Sequence, residues 1–327
     1  MNWNGKSILV TGAGGFIGSH LTERLVTLGA KTRALVHYNA LGGWGWLDQS
    51  PHRDNIDVIA GDICDRDCVY QAMKDVEVVF HLAALIAIPY SYRAPASYVR
   101  VNIEGTLNVL QAARELKVER VVHTSTSEVY GTAQYAPIDE KHPLQGQSPY
   151  SASKIGADKM AEAFHLSFDL PVVTVRPFNT FGPRQSARAV IPSIITQCFA
   201  GDVVHLGSLT PTRDLNYVSN TVDGFLMAAA HSDAVGRTFN LGSGREISIG
   251  DLAILIAQQL DKKIEIISES NRLRPKGSEV ERLIADNTFV RNVLGWKPAV
   301  TLENGLLKTQ EWIMNHLDKY RPGIYAI

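Results

Sequence analysis

Residues 7–36, SILVTGAGGFIGSHLTERLVTLGAKTRALV, contain the signals of a complete strand–helix–strand unit. The apolar run ending at Thr11 predicts a buried strand, and the run at 31–36 predicts a second one. Between them, apolar residues recur at helical spacing until Gly29, which predicts the end of the helix. Glycines at 12, 15 and 18 let a turn of backbone approach a pyrophosphate at the helix N-terminus. The stretch therefore predicts a dinucleotide-binding βαβ unit.

Strand-like runs recur at residues 58–63, 76–82, 118–123 and 172–176, and a long helical pattern occupies 98–116. This alternation predicts an α/β fold, a doubly wound parallel sheet of the Rossmann type, with a smaller mixed α/β substrate-binding lobe. Prolines become frequent after residue 176. We therefore predict a dinucleotide-binding domain at 1–176, to which 214–239 returns, and a substrate-binding lobe formed by 177–213 and 240–327.

Composition excludes several classes of function. The chain has 327 residues, 45% of them hydrophobic, and a formal net charge of −1, which does not suggest a nucleic-acid or membrane-surface partner. No apolar run approaches the ~20 residues that span a bilayer. The first residues lack the pattern of a signal peptide, and the three cysteines form no metal-spaced set. We expect a cytoplasmic protein without a metal site.

The stretch 121–154 carries the candidate chemistry. A β-branched strand end is followed by Thr126, Ser127 and Glu128, at the edge where α/β proteins bind ligands. Tyr150 and Lys154 lie four residues apart in a predicted helix and therefore share a face. A nearby ammonium favours the phenolate, so we predict that Tyr150 loses its proton more easily than a free phenol of pKa about 10. Tyr150 would then be a general base for an alcohol.

The ends of the other predicted strands supply a cofactor site. The residue after the second strand is normally acidic where NAD is bound and basic where NADP is bound. Here it is His37, followed by tyrosine and asparagine, so we predict NAD without excluding NADP. The predicted cofactor-binding residues are Gly12, Gly15, Phe16, Ile17, Gly18, His37, Asp62, Ile63, Leu82, Ala83, Ala84, Tyr150 and Lys154.

The motifs together resemble the extended short-chain dehydrogenase/reductases of the NAD-dependent epimerase/dehydratase family. The matching segments are 11–18 (TGAGGFIG), 81–84 (HLAA), 125–131 (STSEVYG), 150–154 (YSASK), 176–183 (RPFNTFGP) and 213–218 (RDLNYV). This resemblance implies a nucleotide-diphosphate sugar as substrate and a catalytic set of Thr126, Tyr150 and Lys154. It also implies a homodimer formed through the helices at 98–116 and 150–166. Arginines suit a diphosphate, and the predicted substrate-binding residues are Asn179, Arg188, Arg213 and Arg282.

Within this family, Ser127 and Glu128 are informative. Simple 4-epimerases usually carry small uncharged residues at these two positions. A carboxylate at this point can instead remove a proton from C5 of the sugar, beside a transient C4 ketone. Ser-Glu resembles mannose-type 4,6-dehydratases and also decarboxylases of UDP-glucuronic acid. The sequences of residues 124–131 and 176–192 resemble those of the N-acetylglucosamine 4,6-dehydratases of legionaminic-acid-type pathways. We expect a 4,6-dehydratase of UDP- or GDP-N-acetylglucosamine with Thr126, Ser127, Glu128, Tyr150 and Lys154 as catalytic residues. A 4-epimerase, a decarboxylase and a non-catalytic NAD-binding protein stay open.

Overall fold

A computed structural model describes residues 1–320. Its strands are β1 (Ser7–Thr11), β2 (Lys31–His37), β3 (Ile56–Gly61), β4 (Val78–His81), β5 (Arg120–Thr124), β6 (Val172–Pro177), β7 (Thr180–Phe181), β8 (Val203–Leu206), β9 (Thr212–Asp214), β10 (Asn216–Tyr217), β11 (Thr238–Leu241), β12 (Glu246–Ser248), β13 (Glu265–Ser268) and β14 (Arg282–Leu283). Its α-helices are α1 (Phe16–Thr27), α2 (Arg66–Met73), α3 (Ile88–Arg93), α4 (Pro95–Tyr98), α5 (Gly105–Glu115), α6 (Pro149–Phe168), α7 (Val190–Ala200), α8 (Val218–Ala230), α9 (Ile249–Gln259), α10 (Thr288–Leu294) and α11 (Leu302–Met314).

Seven strands form one parallel sheet in the order β11-β6-β5-β4-β1-β2-β3. The strand order reverses at β1, which pairs with β2 on one side and β4 on the other. In such sheets ligands bind in the crevice outside the carboxyl ends of the strands at this reversal. The predicted α/β fold with a doubly wound parallel sheet is therefore confirmed.

Both faces of the sheet are covered, as a parallel sheet requires. Successive residues of β1 point to opposite faces: Leu9 belongs to a buried cluster with residues of α2, α5 and α6. Ile8 and Val10 belong to the other cluster, which contains residues of α1 and α8. The core thus consists of two apolar layers, and the polar strand ends are left at the carboxyl edge.

The long helix predicted at 98–116 is divided in the structure. A π-helical segment, Val99–Glu104, joins α4 to α5. Within it Asn102 is buried, and its amide bonds both the N–H and the carbonyl of Leu85, at 2.9 and 3.0 Å. Wide helical turns of this kind are frequent at functional sites. This turn fixes the loop that follows β4 at the ligand edge of the sheet.

The second half of the chain contributes smaller sheets: β12-β9-β14, β10-β7 and β13-β8. Strand β11 pairs with β6, so the domain boundary predicted at residue 239 falls inside a strand of the central sheet. The division into a dinucleotide-binding domain and a lobe stays a prediction, and its last residues, 321–327, lie outside the described part. Within residues 1–320, no helix is long and apolar enough to cross a membrane.

Candidate active site

A tight turn after β5 places Glu128. Thr126 caps the 3-10 turn Ser127–Tyr130, and its hydroxyl oxygen accepts the backbone N–H of Glu128 at 3.2 Å. Ser127 is buried, and the Glu128 side chain is only 11% exposed. Glu128 is therefore held toward the interior of the protein and is not a solvated carboxylate at a strand end.

The start of α6 places Tyr150. Ser148 and Ser151 form a capping box, with Pro149 at the first helical position, so the helix begins sharply. Tyr150 lies in the first turn and Lys154 one turn later, on the same face. Both side chains are buried. The predicted helical pairing of these two residues is therefore present in the structure.

Burial is the largest influence on the pKa of Tyr150. It raises the pKa of the phenol well above the usual value, although a hydrogen bond from Thr126 opposes it, and the Glu128 charge raises the pKa further. The Lys154 ammonium donates to the carbonyl oxygen of Thr124 at 2.6 Å, and burial lowers its pKa to about 8. The prediction that Lys154 makes Tyr150 unusually acidic is wrong for this state, because the sequence did not show how deeply the phenol is buried.

Two arginines face Glu128. Arg274 Nη1 lies 4.0 Å from a Glu128 oxygen and 3.8 Å from one of Glu279. Arg213 is buried and donates a hydrogen bond to Glu279 at 3.2 Å. The negative charge of Glu128 opposes the lowering of the Arg213 pKa by burial. Within residues 1–320, Arg274 Nη1 is buried without a hydrogen-bond partner. These guanidinium groups are placed to bind an anion beside Glu128.

Sequence reasoning missed Arg274 and selected Arg282 instead. Arg282 pairs with both carboxylate oxygens of Glu246, and its side chain is 51% exposed. The structure therefore does not bring Arg282 to Glu128. Nothing in the local sequence separates Arg274 from a surface arginine, because its neighbour Glu128 lies far away in the chain.

Two further predicted substrate residues are Asn179 and Arg188. Asn179 presents a buried amide oxygen that has no hydrogen-bond partner in the described part of the chain. Arg188 is exposed, and its positive charge acts to lower the pKa of Tyr98. The Tyr98 ring packs edge-on against the Tyr150 ring, with 6.2 Å between the ring centroids. Arg184 is paired with Glu23 on α1.

The glycine turn fits a dinucleotide. Gly12 has a φ of +69°, and a Cβ there would lie 2.8 Å from the backbone nitrogen of Ala83. A Cβ at Gly18 would lie 2.2 Å from the carbonyl oxygen of Gly12. Within the described residues, no side chain caps the N-terminus of α1. Backbone N–H groups at Gly15, Phe16 and Ile17 thus begin a helix whose N-terminus suits a pyrophosphate.

The remaining predicted cofactor residues lie along the same edge. His37 and Asp62 are exposed at the ends of neighbouring strands β2 and β3. The N-terminus of helix α2 is capped by Asp65 and not by Asp62. Leu82 and Ala83 both donate to the hydroxyl of Thr11 at 3.1 Å. Ile63 is buried and Ala84 half-buried beside them.

Arg33 is committed elsewhere. Its guanidinium pairs with Asp57 at 2.7 Å and donates to the carbonyls of Ala72 and Lys74 at 3.0 and 2.8 Å. These contacts hold it away from the carboxyl end of β2. Among the described residues, no cluster of three metal-ligating side chains is present.

Comparison with known proteins identifies relatives over nearly the whole chain. The family described as GDP-mannose 4,6 dehydratase matches residues 9–309. A dTDP-glucose 4,6-dehydratase of Streptomyces griseus is 33% identical over 98% of this chain and 97% of its own length. A UDP-glucose 4-epimerase of Mycolicibacterium smegmatis is 34% identical over 94% of this chain and 98% of its own.

A solved structure agrees. The dTDP-glucose 4,6-dehydratase DesIV of Streptomyces venezuelae, with NAD and TYD bound, superposes with a TM-score of 0.87 at 28% identity, covering 96% of this chain and 99% of DesIV. The chain belongs to the GDP-mannose 4,6-dehydratase family, whose homologues are nucleotide-sugar dehydratases and epimerases. The family resemblance predicted from the motifs is confirmed.

The ionisation of Tyr150 can be tested directly. Because burial raises its pKa, the ligand-free protein should show no tyrosinate from Tyr150 below pH ~10, the ordinary value for a phenol. The measurement is an ultraviolet pH titration of the wild type minus that of Tyr150→Phe. A tyrosinate that titrates near neutral pH in the wild type and is missing from the variant would contradict this expectation.

Proposed function

We propose that this member of the GDP-mannose 4,6-dehydratase family is an NAD-dependent nucleotide-sugar 4,6-dehydratase that acts on UDP- or GDP-N-acetylglucosamine. One observation carries the proposal: the carboxylate of Glu128 is largely buried and close enough to Tyr150 for its charge to raise that residue's pKa. A base at this position can remove the sugar proton on the carbon next to the alcohol that is oxidised with the help of Tyr150. The choice of an acetamido sugar rests on the resemblance of 124–131 and 176–192.

The cofactor proposal rests on the fit of the glycine turn and on the NAD in DesIV. Residues 12–18 would hold the pyrophosphate, His37 and Asp62 the adenosine end, and Leu82–Ala84 the flat rings. The chemistry that NAD supplies when bound is reversible acceptance of a hydride. Tyr150 and Lys154 lie at the same edge of the sheet, where that chemistry is needed.

The sugar nucleotide would be held by its diphosphate. Arg213 and Arg274 offer guanidinium groups beside Glu128, and Arg274 Nη1 has no hydrogen-bond partner within residues 1–320. Asn179 offers a buried amide oxygen, and Arg188 a nearby exposed charge. We add Arg274 to the predicted substrate residues. Arg282 would have to release Glu246 before it could contribute.

The first chemical step is removal of a proton from the C4 hydroxyl. Tyr150 accepts that proton once the loaded site favours its phenolate, and the hydride of C4 leaves at the same time. Thr126 donates a hydrogen bond to the Tyr150 oxygen, which stabilises the anion. The Lys154 ammonium below adds a positive charge to the same region. The product of this step is a C4 ketone.

The second step is elimination of water. The ketone acidifies the C5 proton, Glu128 removes it, and the C6 hydroxyl departs as water with a proton from Glu128 or Ser127. If NAD then supplied the hydride to C6, and the proton taken by Tyr150 were passed to C5 through solvent, the product would be a 4-keto-6-deoxy sugar.

Two observations favour competing activities. The Mycolicibacterium relative is named a UDP-glucose 4-epimerase, and an epimerase needs only Thr126, Tyr150 and Lys154. Arg274 beside Glu128 also offers a cation for the carboxylate of a glucuronic acid, a feature that the sequence alone did not locate. Neither activity uses Glu128 as a C5 base for loss of water, and this difference separates them from the proposal.

The assembly and location stay proposals as well. We retain a homodimer formed by the helices at 98–116 and 150–166. Val99, Leu166 and Phe168 are exposed apolar side chains on these helices, and pairing with a second copy would cover apolar surface of this kind. The cytoplasmic location remains an expectation.

Replacing Glu128 tests the elimination step. Glu128→Gln should keep cofactor and sugar binding but lower the rate of water loss by ~10²–10⁴-fold, the usual contribution of a general base. Reduced cofactor should still form, as a transient absorbance near the nicotinamide band in a single turnover. Tyr150→Phe should abolish that absorbance, because the first oxidation needs its base.

A matched control is available close by. Glu281→Gln makes the same chemical change in an exposed residue near Glu279 and should leave turnover unchanged. Wild-type rates of water loss in Glu128→Gln would contradict the assigned role.

Cofactor choice can be tested at the end of β2. Tyr38 and Asn39 are uncharged and Arg33 is engaged elsewhere, so a 2′-phosphate lacks a cation there. NAD should bind at least about tenfold more tightly than NADP, a difference of about 1.4 kcal/mol. Calorimetric titration with each cofactor measures it. Tyr38→Arg should narrow the gap and Tyr38→Gln should not; equal affinities in the wild type would be against the proposal.

A further inference from the structure

A buried carboxylate on α6 joins that helix to the end of β5. Asp158 is 5% exposed and lies one turn beyond Lys154. Its Oδ1 contacts Nε2 of His123 at 3.0 Å, and its Oδ2 accepts the hydroxyl of Ser125 at 2.7 Å. Arg176 on β6 donates to the same Oδ2 from two nitrogens, at 3.0 and 3.3 Å. Asp158 therefore holds two residues of one strand end at the same time.

The residue between those two is Thr124, whose carbonyl accepts the Lys154 ammonium at 2.6 Å. The direction of that carbonyl is set by the peptide groups on either side, and these belong to the residues that Asp158 holds. The contacts of Asp158 thus lead through the end of β5 to Lys154.

We propose that Asp158 is a positioning residue for the reaction: by clamping His123 and Ser125 it fixes the Thr124 carbonyl that holds Lys154. The proposal rests on the catalytic roles proposed above for Tyr150, Lys154 and Thr126. Asp158 would act through other residues, and the sequence alone did not indicate it.

The charges around Asp158 support a carboxylate that accepts hydrogen bonds. Burial alone would raise the pKa of Asp158, but the His123 hydrogen bond and the Arg176 charge outweigh it and bring the pKa to about 2. Burial lowers the pKa of His123, so its ring is neutral. With its Nδ1 lacking a partner within residues 1–320, the ring carries its proton on Nε2 and donates to Asp158.

Three variants separate positioning from a general structural role. Asp158→Asn keeps the shape of the side chain but loses the charge and one acceptor. Ser125→Ala removes a single contact of the clamp and is a mild change. Glu162→Gln, one turn further along α6, is the control, since that side chain is 52% exposed and pairs with Lys159.

The kinetic measurement is the rate of reduced-cofactor formation in a single turnover, together with the KM for the sugar nucleotide. Asp158→Asn should slow this oxidation by about 10²-fold, the scale expected when a catalytic group loses its placement, with KM changed less than about twofold. Ser125→Ala should slow it by a smaller factor. The double variant should be no slower than Asp158→Asn, because both changes act on one clamp.

A second measurement needs no substrate. In crystal structures of Asp158→Asn and Ser125→Ala, Lys154 Nζ should move beyond ~3.5 Å from the Thr124 oxygen, outside hydrogen-bond range. If Asp158→Asn does not fold, the position of Lys154 Nζ and the oxidation rate in Ser125→Ala test the proposal by themselves. An unmoved Lys154, or variant rates equal to those of Glu162→Gln, would overturn the proposal.

The two proposals fail in different ways. Oxidation at C4 is common to dehydratases and epimerases, so it reports on Tyr150 and Lys154 whatever the final product. If the wild type releases no water from any sugar, the proposed dehydration is wrong, while the Asp158 series still stands on oxidation rates and crystal structures.

Discussion

The ion pair between Asp158 and Arg176 is the interaction on which the site depends. Both side chains are buried, and taking such charges out of water is costly unless further hydrogen bonds satisfy them. Here His123 and Ser125 supply those bonds on one side, and Tyr130, which accepts Arg176 Nη1 at 2.8 Å, supplies one on the other. Losing one partner of such a pair typically costs about 3–5 kcal/mol. The pair therefore joins α6, β5 and β6 in one fixed arrangement.

That arrangement brings the proposed catalytic groups together. The end of β5 carries Thr126 and Glu128 on a tight turn, and α6 carries Tyr150 and Lys154 on one face. Burial and the nearby Glu128 charge both raise the pKa of Tyr150.

Much of the fold followed from the sequence because local patterns determined it. The glycine turn at 12–18, the strand-like runs and the spacing of Tyr150 and Lys154 each predicted a feature that is present. The wide turn at Asn102 was missed, since its amide bonds Leu85, a contact distant in the chain. Arg274 was missed for the same reason: its neighbour Glu128 comes from elsewhere in the fold. The pKa of Tyr150 depended on burial, which no local pattern reveals.

We propose that the chain removes water from a nucleotide-activated hexose. The most direct measurement is mass spectrometry of UDP- and GDP-N-acetylglucosamine, UDP-glucuronic acid and GDP-mannose, each incubated with the purified protein and NAD. The account predicts loss of one water from an N-acetylglucosamine nucleotide, which would also identify the nucleotide. Loss of carbon dioxide from the glucuronic acid, or conversion to an isomer of unchanged mass, would contradict it.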